Sequence, residues 1–325
     1  MYKNISIIGA GSWGLAIANL LSEDSKTTVF HYNKLTIRHL KKTRTHPNIP
    51  NIPISKNITF SEEKSVEAEL CVLAVPVQHM RESLKKFSIK SKNFLILSKG
   101  IECETLLFPS ELARDVLGCK KQNIAILSGP SHAELLSKKE PTAVVIASKN
   151  KNLLGKLQAT LSKDYFRVYT NTDMIGVQLG GAIKNVVSIA VGVSEGLGYK
   201  ENIASAILTR SLKEIDLLGK CFNISPKTIW GLACIGDLIG TSFSSYSRNK
   251  SFGVKLAKGA KYQDIISSTN MTIEGVATSK SIFQLSKKCK VEMPICDMVY
   301  RIIYKNKNPE KAIKELMTRP LRAEK

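Results

Sequence analysis

Hydrophobic positions come in short unbroken runs through the first half of the chain and at helical spacing through the second. The runs ISIIG (5–9), TTVFHY (27–32), LCVLAVP (70–76), NFLILSKG (93–100), IAILSG (124–129), TAVVIAS (142–148) and FRVYT (166–170) predict strands. Amphipathic stretches such as SWGLAIANLLSED (12–24) and HMRESLKKF (79–87) lie between several of them and predict helices. Near-continuous Ile/Val/Leu strands alternating with helices imply a doubly wound α/β domain, its parallel sheet covered on both faces. The segment 45–57, THPNIPNIPISKN, carries three prolines and predicts an extended surface loop.

After about Asn171 the texture changes. VQLGGAIKNVVSIAVGVSEGLG (177–198), NIASAILTRSLKEIDLLGKC (202–221), SKSIFQLSKKC (279–289) and ICDMVYRIIYKN (295–306) carry helical periodicity, with Pro294 and Pro309 beginning or separating the last helices. This predicts an all-α C-terminal domain, with the chain divided near 180 into residues 1–180 and 181–325.

A length of 325 residues accommodates two domains, and 43% hydrophobic with 23% charged residues is ordinary for a globular chain. Charges and glycines interrupt the apolar runs short of the roughly 20 residues that span a bilayer, so no transmembrane helix is expected. The N-terminus passes from one lysine into a strand without an apolar leader and cleavage site, which reads as cytoplasmic. Seven cysteines, odd in number and scattered without a C-x-x-C pair, fit that reading and offer no metal or redox site. The net charge of +21 is spread along the chain in pairs such as Lys41-Lys42 and Lys85-Lys86. Without a basic stretch interleaved with aromatics, it reads as solvated surface that attracts anionic substrates, not as a nucleic-acid footprint.

Four constellations carry candidate chemistry. Gly9-x-Gly11-x-x-Gly14 follows the first strand and opens a helix, the arrangement that brings backbone and a helix N-terminus to a pyrophosphate. The acidic residue expected about 20 positions on, for the ribose of NAD, is missing from VFHYNK (29–34). Tyr32 and Lys34 there suit a 2′-phosphate and equally suit a solvated turn. LSKGI (97–101) and LSGPSHAEL (127–135) put polar groups just after buried strands, where an open α/β sheet binds ligands. GDLIGTSFSSYSRNKSFG (236–253) offers Asp237, Thr241, Ser247, Arg248 and Asn249 near a helix start, a set suited to a phosphate or to a plain serine-rich loop. Finally, Lys184 and Asn185 interrupt the most apolar helix, where a buried ammonium is costly and its pKa tends to fall.

Taken in order, GAGSWG, LSKGIE, LSGPSHA, the block from Phe166 to Gly198, GDL…T…SRN..FG and TIEGV resemble the NAD(P)-dependent glycerol-3-phosphate dehydrogenases, in their bacterial soluble form, over essentially the whole length. The block around Lys184 is the most specific part. The resemblance implies a Rossmann-type domain followed by a helical domain similar to that of 6-phosphogluconate dehydrogenases, with the site between them. It also implies interconversion of sn-glycerol 3-phosphate and dihydroxyacetone phosphate with NADP or NAD, feeding phospholipid synthesis, and leaves a homodimer open. By position, Lys184 would be the proton acceptor. Lys99, Gly129, Ser131, Asn185, Asp237, Ser247, Arg248 and Asn249 would line the substrate site. Gly9, Gly11, Ser12, Trp13, Gly14, Tyr32, Lys99, Ala133, Arg248, Thr272 and Glu274 would hold the dinucleotide. The small residues around Lys184 would let both ligands approach, and desolvation would bring its amine toward neutrality. Departures from the family are Cys234 and Ser211, where glycine is commoner, and Tyr32, where a basic residue or histidine is. The rival is a β-hydroxyacid or 6-phosphogluconate-type dehydrogenase, which the SRN cluster argues against by favouring a phosphate.

Overall fold

The computed structural model describes residues 1–46, 53–269, 272–321 and 323, so the proline-rich loop at 45–57 lies partly outside the described residues. Eight strands form one sheet: β1 (Asn4–Ile8), β2 (Lys26–Phe30), β3 (Ile58–Ser61), β4 (Ser65–Leu73), β5 (Ser88–Ile96), β6 (Ile124–Ser128), β7 (Thr142–Ala147) and β8 (Phe166–Asn171). Their spatial order is β3-β2-β1-β4-β5-β6-β7-β8, so the chain reverses direction across the sheet between β1 and β4. Helices α1 (Ser12–Leu21), α2 (Lys34–Thr43), α3 (Val77–Leu84), α4 (Pro109–Leu117), α5 (Ala133–Ser137) and α6 (Lys151–Leu161) connect the strands.

Successive side chains of a strand face opposite ways, and the two faces are filled separately. Leu70, Val72, Leu95, Leu97, Ala125 and Leu127 enter the core beneath α1 and α6. Their neighbours Cys71, Leu73, Phe94, Ile96, Ile124 and Ile126 enter the one beneath α3 and α4. Double burial is why these strands read as unbroken apolar runs. It also conceals direction: β7 runs antiparallel to β6, pairing Leu127 with Ile146, and all other neighbours are parallel. The sheet is thus parallel, as expected, except at that one junction, and the four-residue β3 is an addition.

Helices α7 (Met174–Gly196), α8 (Glu201–Lys220), α9 (Pro226–Ile229), α10 (Asp237–Phe243), α11 (Arg248–Ala257), α12 (Tyr262–Ser267), α13 (Glu274–Lys288), α14 (Pro294–Tyr304) and α15 (Pro309–Met317) follow. Asp173 caps the start of α7 by accepting from the Gly176 N–H. From there α7 links two cores: Met174 and Val177 pack on the sheet, while Leu179 and Ile183 onward form the centre of the helical core. Position 180 falls inside this helix. Among the described residues α7 alone is long and apolar enough to cross a membrane, and 94% of its most apolar window is buried in the protein, which makes it a core helix.

The glycines of α7 serve different neighbours. A Cβ on Gly192 would lie 2.1 Å from the Lys250 carbonyl oxygen, so α11 meets α7 backbone to backbone. One on Gly181 would lie 2.8 Å from Ser128 Oγ and 3.7 Å from the Lys99 side chain, on the side of the candidate site. Cys221 and Cys289, 68 residues apart, form a disulfide between the ends of α8 and α13. Their scatter along the sequence concealed a spatial pairing.

Candidate active site

The glycine turn lies at the carboxyl end of β1, beside the reversal of strand order. Gly9 has φ +112°, and a Cβ there would sit 2.4 Å from the Ala74 carbonyl oxygen, while one on Gly14 would sit 2.5 Å from that of Gly9. Only hydrogen fits at either position. Gly11 is different, since nothing lies within 4 Å of its would-be Cβ, and no side chain caps the start of α1. Its first N–H groups are thus left for a ligand. A cavity of about 510 Å³ runs from this turn to His31, Tyr32 and Lys86 at one end and to Arg248, Thr272 and Glu274 at the other. Trp13 lines it, and its indole Nε1 is buried without a hydrogen-bond partner among the described residues. An open phosphate-sized cradle, uncapped amides and an orphan donor fit a dinucleotide.

A second cavity, of about 160 Å³, adjoins the first through the shared residues Ser12, Trp13, Arg248, Thr272 and Glu274. Its charged centre lies in the wall. Lys184 Nζ on α7 donates to Asp237 Oδ1 at 2.6 Å and to Thr241 Oγ1 at 2.8 Å. Lys99, just after β5, donates to the other carboxylate oxygen at 2.6 Å and to the Gly129 carbonyl at 3.3 Å. Asp237 is 1% exposed and Lys184 7%, so one carboxylate serves two ammonium groups away from water. Burial drives the Lys184 pKa from 10.5 down to about 8; the Asp237 charge opposes this and the Lys99 charge adds to it. For Asp237, burial pushes upward, but both lysines together outweigh it and hold the carboxyl below its ordinary value. A π-helical turn, Leu232–Gly236, leads into Asp237 with Cys234 buried in it.

The remaining predicted residues converge on the same cavity. Ser247 caps α11, its hydroxyl accepting from the Lys250 N–H at 3.2 Å. Arg248 opens that helix and donates to the Thr272 carbonyl at 3.1 Å. Asn249 donates to Asn185 at 3.0 Å and accepts from the Gly275 N–H, and Asn185 donates to Glu274 at 3.4 Å. Burial raises the Glu274 carboxyl, against the pull of Arg248. Ser131 and Ala133, at the start of α5, line the smaller cavity, and the Ser131 hydroxyl donates to the Gly129 carbonyl. Gly129 and Asp237 line neither cavity and stand behind Lys99. Tyr32 lies at the far end of the larger one, 53% exposed.

Several lining residues were not singled out by sequence. His132 lines the smaller cavity, its imidazole pKa lowered by burial and then by the Lys184 charge. Its place in LSGPSHAEL, after a buried strand, was the available signal. His46, His79 and Lys86 reach the larger cavity from α2, α3 and their following loops, with no motif to mark them. Among the described residues no group of His, Cys, Asp or Glu could hold a metal ion.

A strand order that turns back beside a glycine turn, with a desolvated amine next door, is the build of a dinucleotide-linked dehydrogenase. Residues 4–154 match the family model of the NAD-dependent glycerol-3-phosphate dehydrogenase N-terminus, and residues 173–314 match that of its C-terminus. The glycerol-3-phosphate dehydrogenase [NAD(P)+] of Thermotoga sp. (strain RQ2) is 40% identical over 319 residues, 98% of each chain. That of Solidesulfovibrio magneticus is 40% identical over 328 residues, 98% of this chain and 99% of the other. The crystal structure of glycerol-3-phosphate dehydrogenase from Coxiella burnetii aligns with a TM-score of 0.91 at 30% identity, covering 98% and 99% of the two chains. The chain belongs to the NAD-dependent glycerol-3-phosphate dehydrogenase family. It is an oxidoreductase whose cofactor is NAD or NADP, and the β-hydroxyacid alternative is not favoured.

Proposed function

We propose that the chain interconverts sn-glycerol 3-phosphate and dihydroxyacetone phosphate and supplies glycerol 3-phosphate to phospholipid synthesis. The observation that carries this is the buried Lys184–Asp237–Lys99 centre, set in the wall of a small cavity rimmed by Ser247, Arg248 and Asn249. The nicotinamide, when bound, supplies hydride exchange at C2. Lys184 takes the C2 hydroxyl proton in oxidation and returns it to the developing alkoxide in reduction, for which a pKa of about 8 suits both directions. Asp237 keeps the ammonium form within reach and fixes the amine, while Thr241 orients it. Lys99 prevents the carboxylate from raising the Lys184 pKa further, since its charge acts in the opposite sense.

Arg248 forms the charge-assisted contact with the substrate phosphate, helped by Ser247, Asn249 and Ser131. Asn185 helps fix the substrate, and Gly129 positions Lys99 through its carbonyl. Gly9, Gly11, Ser12, Trp13, Gly14, Tyr32, Lys99, Ala133, Arg248, Thr272 and Glu274 hold the dinucleotide. In this reading residues 1–180 are the dinucleotide domain and 181–325 the catalytic domain, in a cytoplasmic enzyme that forms a homodimer, the last tested by sedimentation. The deciding assay is oxidation of NADPH or NADH on addition of dihydroxyacetone phosphate. Turnover with a 3-hydroxy acid or 6-phosphogluconate, and none with dihydroxyacetone phosphate, would overturn the reading.

A further inference from the structure

The end of β2 carries no acidic residue, and its basic candidates are not those that meet the ligand space. Lys34 opens α2, is exposed, and is not among the residues lining the larger cavity. Arg38 is committed to Glu62 at 3.1 Å, with Lys41 on the same carboxylate at 3.7 Å. His31 lines the cavity, but its Nδ1 accepts from the Asn33 N–H at 3.1 Å, and burial lowers its pKa and so disfavours its charged form.

Lys86 reaches the same place from the other side. It follows α3, lines the larger cavity with Ser83 and Phe87, and holds its Nζ 4.6 Å from the centre of the Tyr32 ring. His31 packs against Tyr32 with ring centres 4.4 Å apart. A ring face positions an ammonium without neutralising it, and among the described residues no carboxylate pairs with Lys86. Glu82 also lines this end, and Lys85 lies 3.5 Å from its carboxylate. A cation is therefore held over the ribose end of the cavity with its charge unspent.

We propose that Lys86, seated on Tyr32, is the specificity-determining residue that recognises the 2′-phosphate of NADPH. The proposal rests on the dinucleotide reading above and goes beyond it by assigning the preference for NADPH over NADH to one side chain outside the β2 turn. The experiment compares binding of adenosine 2′,5′-bisphosphate with binding of 5′-AMP, which differ only in the 2′-phosphate, by calorimetry. The wild-type chain is expected to favour the bisphosphate by at least about tenfold, the scale of one charged hydrogen bond. Lys86→Ala should bring the ratio close to one, Lys86→Arg should keep most of it, and Lys34→Ala should leave it in place. Equal binding of the two nucleotides by the wild type, or a preference that survives Lys86→Ala, overturns the assignment. So does loss of the preference in Lys34→Ala. Binding is read without turnover, so a failure to reduce dihydroxyacetone phosphate would count against the enzymatic reading and leave the nucleotide ratio standing as the test of Lys86.

Discussion

Along the larger cavity the recognition groups are main-chain amides, an indole and exposed side chains such as Tyr32 and Lys86. Behind the wall of the smaller one stand an aspartate and a lysine almost closed off from water, with a second lysine only 12% exposed at the side chain. The first region gets its specificity from shape and from charges that solvent screens. The second gets it from charges that cannot be removed singly without stranding a partner. The exposed side chains of the larger cavity should thus yield graded effects on cofactor affinity, and the lysine–aspartate centre abrupt effects on turnover.

The contrast is sharpest at Lys184. Lys184→Ala should lower kcat by on the order of 10²–10⁴-fold, the range of general acid–base help, with dinucleotide affinity in a fluorescence titration nearly unchanged. A near-normal kcat would remove the amine from the mechanism. Asp237→Asn comes next: it strands the buried Lys184 ammonium and the partly buried one of Lys99, and should destabilise the fold by about 3–5 kcal/mol in a denaturant titration. Because Asp237 raises the Lys184 pKa, the same variant should also shift the midpoint of glycerol 3-phosphate oxidation to lower pH.

That midpoint is itself a test in the unaltered chain. Oxidation needs the neutral amine, so kcat/KM for glycerol 3-phosphate should rise with pH and level off above about 8. Reduction needs the ammonium and should fall as pH passes the same value. Asp237, held below its ordinary value, remains ionised throughout. Arg248→Ala is expected to cost about 1.5–3 kcal/mol, at least tenfold in kcat/KM for dihydroxyacetone phosphate. Equal losses with unphosphorylated dihydroxyacetone would take the phosphate away from Arg248. The smallest effect belongs to the open end: Tyr32→Ala removes an exposed cation–π seat of about 0.5–1 kcal/mol and should raise the cofactor KM only a few-fold. A loss there as large as at Lys184 would erase the distinction between the two regions.

What could be read in the sequence follows the same division. GAGSWG is a local device, with turn, helix start and preceding strand within fifteen residues, and its geometry followed from spacing. Lys184 stood out because a charge in an apolar helix violates the pattern around it. Its carboxylate partner lies 53 residues on and the second lysine on Asp237 lies 138 residues from it, so only the fold joins the three. The direction of β7 was hidden because a strand buried on both faces has the same pattern in either orientation. Lys86 was one of many lysines until Tyr32 was seen beneath it.

Helix α7 has one more consequence, for how activity is lost on heating. Twenty of its residues are buried, and it belongs at once to the sheet-side core and to the helical core. An element of that kind opens only in global unfolding, so its amides should be among the slowest in the molecule to exchange with deuterium. Since the reactive amine is carried on that helix, fraying of the surface elements around the site leaves the amine itself in place. Exposure of Lys184 to solvent should therefore coincide with the cooperative melting transition instead of preceding it.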